Sequence, residues 1–253
     1  MTSTLTTAPT TTAARVALVT GGSGGIGRAV VERLAKDGFA VGVHYAGNKA
    51  KADEAVATIL AAGGRAIAVG GDVADETAMS AAFDAVEAAF GGIDVVVNTA
   101  GVMLLSPIST LDLADLDRIY RTNIRGTFVV SQQAARRIRP GGAIINFSTS
   151  VTRAQFPGYG AYVASKAAVE SITLILAREL RGKDVTVNTV APGPTATPLF
   201  LNGKDEATIA TLATAVPLER LGQPDDIAET VAFLAGPARW VNGQVVFTNG
   251  GLA

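Results

Sequence analysis

Apolar residues fall along this chain in two rhythms. Short blocks at 15–20, 39–45, 65–70, 93–98, 143–147, 185–190 and 244–248 are nearly continuous in Val, Ile and Ala. Such runs, apolar at successive positions, mark strands covered on both faces. The longer segments 28–36, 50–62, 76–90, 114–135, 162–181 and 225–234 instead repeat apolar positions every three or four residues, the period of a helix with one buried face. Gly63-Gly64, Gly91-Gly92 and Gly141-Gly142 act as stops. Strand and helix in alternation predict an α/β fold of the Rossmann type: a doubly wound, parallel, seven-stranded sheet with helices on both faces. No internal boundary interrupts the rhythm, so 15–253 reads as a single domain.

The first strand runs straight into Gly21-Gly22-Ser23-Gly24-Gly25-Ile26-Gly27 and then a helix. In that context Gly22-x-Gly24-x-x-Gly27 has the spacing of a dinucleotide loop. Glycines permit the tight turn and let backbone N–H groups approach a pyrophosphate at the helix N-terminus. Ligands of such sheets bind beyond the carboxyl ends of the strands. There Gly21 to Gly27, Asn98 to Val102, Ser148 to Thr152 and Pro192 to Thr197 are expected to converge. The irregular stretch 192–217 carries Leu199-Phe200-Leu201 among prolines and glycines. It reads as a substrate loop, or as a segment packed on a subunit or the core.

Composition narrows the partners. A net charge of −1 and no long basic run give no reason to expect nucleic acid or an anionic membrane. No apolar run is expected to approach the ~20 residues of a membrane helix. The absence of cysteine removes thiolate chemistry, and a single histidine, His44, cannot build a metal cluster, so no metal is expected. The first fourteen residues are Thr- and Ala-rich, without a basic or apolar block; they read as a disordered tail rather than a signal peptide, with the cytoplasm as the default compartment.

Tyr162 and Lys166 stand four apart in a helical segment and therefore share a face. An ammonium beside a phenol favours the phenolate and is expected to lower its pKa, making an acid/base device. A hydroxyl is also needed to hold a substrate oxygen, and Ser148, Thr149 and Ser150 are consecutive, so strand alternation sends 149 opposite to its neighbours. Val102, Met103, Gln155, Tyr159, Leu199 and Phe200 suggest a partly apolar substrate pocket.

Thr20-Gly21-x-x-x-Gly25-x-Gly27 together with Tyr162-x-x-x-Lys166 resembles the short-chain dehydrogenase/reductase family, over nearly the whole chain. Asp72-Val73, Asn98-Thr99-Ala100-Gly101, Asn123, Asn146-Phe-Ser-Thr-Ser150 and Pro192-Gly193-Pro-Thr195-Ala-Thr197 follow in the family's order. The chain is most similar to bacterial ketoacyl and carbonyl reductases and to trihydroxynaphthalene-reductase-like members. The resemblance implies hydride exchange with a nicotinamide. Tyr162 would be proton donor and acceptor, Lys166 would bind the ribose, and Asn123 would hold a water that links Lys166 to solvent. The family's serine position, counted from the strand asparagine and from the tyrosine, falls on Thr149; spacing one residue longer would choose Ser148. The resemblance also implies cofactor contacts from Gly21, Ser23, Gly25, Ile26, Gly27, Tyr45, Asp72, Val73, Asn98, Ala100, Gly101, Pro192, Gly193, Thr195 and Thr197.

An NAD-selective site holds the adenosine ribose with a carboxylate at the end of the second strand, where this chain reads His44-Tyr45-Ala46-Gly47-Asn48-Lys49. Asn48, Lys49 and the helix start would suit a 2′-phosphate, so NADPH is expected in preference to NADH. The expected partners are a small-molecule carbonyl or alcohol and, by resemblance, three further copies in a homotetramer. A 3-oxoacyl-(acyl-carrier-protein) reductase, with Arg136, Arg137 and Arg139 as a docking patch, is the alternative within enzymes. A non-catalytic nucleotide-binding regulator is the alternative of another class, but it would expect a broken Tyr or Lys.

Overall fold

In the computed structural model, which describes residues 14–253, seven strands form one sheet in the order β3-β2-β1-β4-β5-β6-β7. They are β1 (Val16–Thr20), β2 (Ala40–Tyr45), β3 (Arg65–Gly70), β4 (Ile93–Asn98), β5 (Ile138–Phe147), β6 (Thr186–Pro192) and β7 (Val245–Thr248), and every pairing is parallel. The tail expected at residues 1–14 lies almost wholly outside the described residues. Strand alternation explains the two cores. Ala17, Val19, Val95 and Val97 point to one side, into a cluster with Val30, Leu34, Ile59 and Val231; their neighbours Val16, Leu18 and Val96 point to the other, against Phe83, Val130 and Leu176. Helices α1 (Gly25–Lys36), α2 (Lys49–Ala61) and α10 (Pro224–Ala235) cover the first face; α3 (Glu76–Phe90), α5 (Gly126–Arg137) and α7 (Gly160–Glu179) cover the second.

Three segments differ from the sequence expectation, each for a local reason. The helix expected over 114–135 is α4 (Leu113–Tyr120), a π turn (Arg121–Arg125) and α5, and the wide turn carries Asn123. The fifth strand begins at Ile138 rather than 143, because Ile138 pairs with Ile93 before the register shifts, with Gly141 turning at φ +81°. The stretch 192–217 holds α8 (Pro198–Leu201), capped by Thr197, and α9 (Glu206–Thr214), capped by Asp205. A short α6 (Val151–Ala154) follows β5. Contrary to the expectation that nothing approaches a membrane span, α7 has the length and apolarity of one. Its buried face lies in the core beside β6 and carries Tyr162, Ser165 and Lys166.

Candidate active site

The strand order reverses between β1 and β4, and the crevice at their carboxyl ends holds the glycine loop. Gly21 turns at φ +66°, and a Cβ on Gly27 would lie 2.2 Å from the Gly21 carbonyl oxygen, so a side chain there would force the turn open. The first turn of α1 has no side-chain cap and no acidic residue, and its N–H groups are left for an anion. From β2, His44 supports the loop: Nδ1 accepts the Gly21 N–H at 3.4 Å, and the His44 carbonyl accepts the Gly22 N–H at 2.9 Å. Burial pushes the imidazole down to about 4, so it is neutral and keeps the lone pair the loop uses. The cradle fits a dinucleotide pyrophosphate. Gly25 faces the far wall, where Thr197 lies 3.6 Å from the place of its missing Cβ.

Not every predicted contact faces the crevice. Asn98 is buried with its amide spent on Thr20 (2.7 Å) and Thr127 (3.2 Å), so it ties strand ends together. The Ala100 N–H donates to the Thr20 hydroxyl at 3.3 Å. Thr195 donates to the Gly193 carbonyl at 2.9 Å, and the Thr197 hydroxyl accepts the Phe200 N–H at 3.2 Å, so these hydroxyls shape the turn after Pro192 while their carbons line the cleft. Ser23 stands half-buried at the loop tip.

At the opposite end of the crevice Asn48, Lys49 and Asp72 are exposed. Tyr45 covers Gly70, where a Cβ would meet the ring at 2.8 Å. Asn48 caps α2 through Oδ1, which accepts the Lys51 N–H at 3.1 Å and leaves its NH₂ free. Lys49 is drawn to Asp53 at 2.7 Å, and Asp72 to Arg121 at 2.5 Å. Val73 is buried against Gly126, where a Cβ would lie 2.8 Å from Val73 Cγ2.

At the inner end, Tyr162 and Lys166 are 8% and 5% exposed on one face of α7. Lys166 Nζ donates to the Phe147 carbonyl at 2.8 Å and lies 6.0 Å from the Tyr162 ring centre. The expected lowering of the phenol pKa is not what this geometry gives. Burial, the largest cause, pushes Tyr162 up to about 12, with the nearby Thr149 side chain pulling the other way. Burial brings Lys166 down to about 8. The phenol therefore keeps its proton at neutral pH and is set to donate it.

The three consecutive hydroxyls separate cleanly. Ser148 donates to Glu170 at 2.6 Å and Ser150 to the Ala191 carbonyl at 3.3 Å, whereas Thr149 Oγ1 accepts the Val151 N–H at 3.4 Å and lines the cleft with Tyr162. Glu170 also accepts from Thr152 at 3.0 Å, pinning both sides of Thr149. The sequence reading passed over Glu170, although it stands four residues beyond Lys166 on the same helical face. Ser165 was missed as well. Asn123 Nδ2 donates to its hydroxyl at 3.0 Å and to the Val102 carbonyl at 2.9 Å, while Oδ1 accepts the Val102 N–H at 2.9 Å. Asn123 thus locks the segment after β4 onto α7, and its own carbonyl accepts the Thr127 hydroxyl at 2.7 Å. A Cβ at Gly101 would lie 3.3 Å from both Asn123 Oδ1 and Lys166 Nζ, so these three pack together.

Outside this corner opens a cleft of about 910 Å³, including its mouth, onto which Ile26, Met103, Tyr159, Leu199 and Phe200 face; Val102 and Gln155 do not line it. Phe156 and Leu212, which the sequence did not mark, do. No grouping of His, Asp and Glu suited to a metal occurs among the described residues.

A family model described as enoyl-(acyl carrier protein) reductase matches residues 21–253. A short-chain type dehydrogenase/reductase of Picea abies is 46% identical over 94% of this chain and 92% of its own. An NADPH-dependent aldehyde reductase-like chloroplastic protein of Arabidopsis thaliana is 40% identical over 96% of each. Among solved structures, a short-chain dehydrogenase from Burkholderia cenocepacia in complex with NADP superposes with a TM-score of 0.88 at 39% identity, covering 94% of this chain and 97% of that one. The chain belongs to the short-chain dehydrogenase/reductase family of oxidoreductases.

Proposed function

We propose that this protein reduces a small ketone or aldehyde to the alcohol with NADPH, reversibly, using Tyr162 as the proton donor. The observation that carries the reading is the convergence of a protonated, buried phenol and the Thr149 hydroxyl at the inner end of a cleft that Ile26 of the glycine loop also lines. A bound reduced nicotinamide supplies two electrons and one hydrogen to the carbonyl carbon. The residues do the rest. Thr149 and Tyr162 hold and polarise the oxygen, Tyr162 gives it the second hydrogen as a proton, and the charged Lys166 beside the phenol stabilises the phenolate left behind. Asn123 and Ser165 fix Lys166's surroundings, and the glycine loop and the first turn of α1 take the pyrophosphate.

NADPH over NADH is supported by the missing carboxylate at 44–49 and by the free Asn48 amide beside the start of α2. The names of the NADPH-dependent relative and of the NADP complex point the same way. An acyl-carrier protein is a poorer partner. Arg137 is paired with Asp84 and Glu87, and Arg139 with Asp94, and they stand at the start of β5, the end of the sheet remote from the cleft. A homotetramer is proposed from family resemblance together with exposed apolar side chains on α4 and α5, such as Tyr120 and Phe128; light scattering would read its mass. The functional test is a panel of ketones and aldehydes scored by loss of nicotinamide absorbance with each coenzyme. Turnover with NADPH at least about ten-fold above NADH supports the reading, and no turnover with any carbonyl sinks it.

A further inference from the structure

Lys166 is the only charged side chain lining the substrate cleft among the described residues, and its ammonium is already committed to the Phe147 carbonyl. Two cations close in sequence to cleft residues, Lys204 and Arg153, are engaged with other groups. Lys204 donates to the Phe200 carbonyl at 2.6 Å and stands 4.6 Å from the Phe200 ring centre, and Arg153 lies 5.1 Å from the ring centre of Phe247. A carboxylate or phosphate entering this cleft would lose hydration without gaining a dedicated partner.

What the cleft does offer is an aromatic wall. Phe156, Tyr159 and Tyr162 run edge to face, with centres 6.0 and 6.5 Å apart, from the cleft mouth to the phenol that faces Thr149. The backbone is set for this. Gln155 ends α6 in the left-handed region at φ 52°, an uncommon conformation for a residue with a side chain, and the chain then presents Phe156, 40% exposed, to the cleft. Leu199 and Phe200 of α8 form the facing side.

Resting on the carbonyl-reductase reading above, we propose that the cleft selects uncharged ketones and aldehydes carrying an aryl or similarly compact apolar group. That group lies in the corner made by Phe156 and Tyr159, with the carbonyl oxygen on Tyr162 and Thr149. Substrates carrying an anionic group on that ring are disfavoured. Ring packing of this geometry adds attraction beyond burial alone, so the wall ranks substrates by shape as well as by charge.

The experiment compares acetophenone, 4-acetylbenzoate and methyl 4-acetylbenzoate under NADPH at pH 7. 4-Acetylbenzoate and its methyl ester have the same ring and ketone and differ mainly in charge. The expected result is a kcat/KM for the acid about ten-fold or more below both neutral ketones. Phe156→Ala is expected to raise KM for acetophenone about ten-fold with NADPH Kd unchanged, and Leu199→Lys to improve the acid relative to its ester. Equal rates for acid and ester, or indifference to both substitutions, overturn the proposal while leaving the carbonyl-reductase reading standing. If NADPH binds by fluorescence titration yet neither neutral ketone turns over, the broader reading falls and takes this one with it.

Discussion

The inner and outer ends of the crevice hold similar polar groups in opposite ways. Inside, Tyr162, Lys166, Asn123 and Ser165 are buried and bonded to one another or to backbone. Outside, Lys49 and Asp72 sit in exposed ion pairs with Asp53 and Arg121. Exposed pairs are weak and exchange partners readily, whereas buried groups are held by the full cost of leaving them unsatisfied. Proton transfer needs the second kind of placement, and recognition of a solvated phosphate tolerates the first.

The comparison is tested most severely at the inner end. Tyr162→Phe keeps the ring and removes the proton; turnover is expected to fall about 10³-fold while NADPH binds as before. Residual activity near the parent level would remove the phenol from the chemistry. Next comes His44, buried under the glycine loop. Its folded pKa, about 4, lies below the unfolded value of 6.5, so the unfolded chain binds the extra proton first. The stability this costs begins to be lost as pH falls below 6.5 and is fully lost below 4, to a limit of about 3 kcal/mol. Urea midpoints of the parent should drop across that window, and those of His44→Asn should drop less; parallel curves would show that His44 is not responsible.

At the outer end the effects shrink. Asn48→Asp places a carboxylate where the ribose is expected and should shift the NADPH/NADH ratio of kcat/KM by about ten-fold toward NADH. An unchanged ratio would put the phosphate elsewhere. Lys49→Ala, at an exposed pair, should weaken NADPH only about three-fold, with the loss shrinking at high salt. A loss as large as that at Asn48 would mean that Lys49 leaves Asp53 to bind the phosphate directly.

What could be read from sequence follows the same division. The parallel seven-stranded sheet was legible because continuous apolar strands and periodic helices leave few ways to bury both faces. The glycine loop and the Tyr162/Lys166 pair were legible because their chemistry is local in the chain. Two things were not. Which of the three consecutive hydroxyls is bonded elsewhere in the fold depended on Glu170 and Ala191, contacts 22 and 41 residues from Ser148 and Ser150. The sign of the Tyr162 shift depended on burial, and spacing along a helix reports proximity without reporting solvent.

The π turn at 121–125 carries a further consequence. It amounts to one residue more than a regular helix would accept between α4 and α5, and each residue of a helix rotates its successors by about 100°. Deleting any single position there would relax the spine into an ordinary coil of hydrogen bonds and swing Asn123 or everything after it off target. This stretch should therefore drift freely in amino-acid identity on its outer side during evolution, yet stay fixed in length.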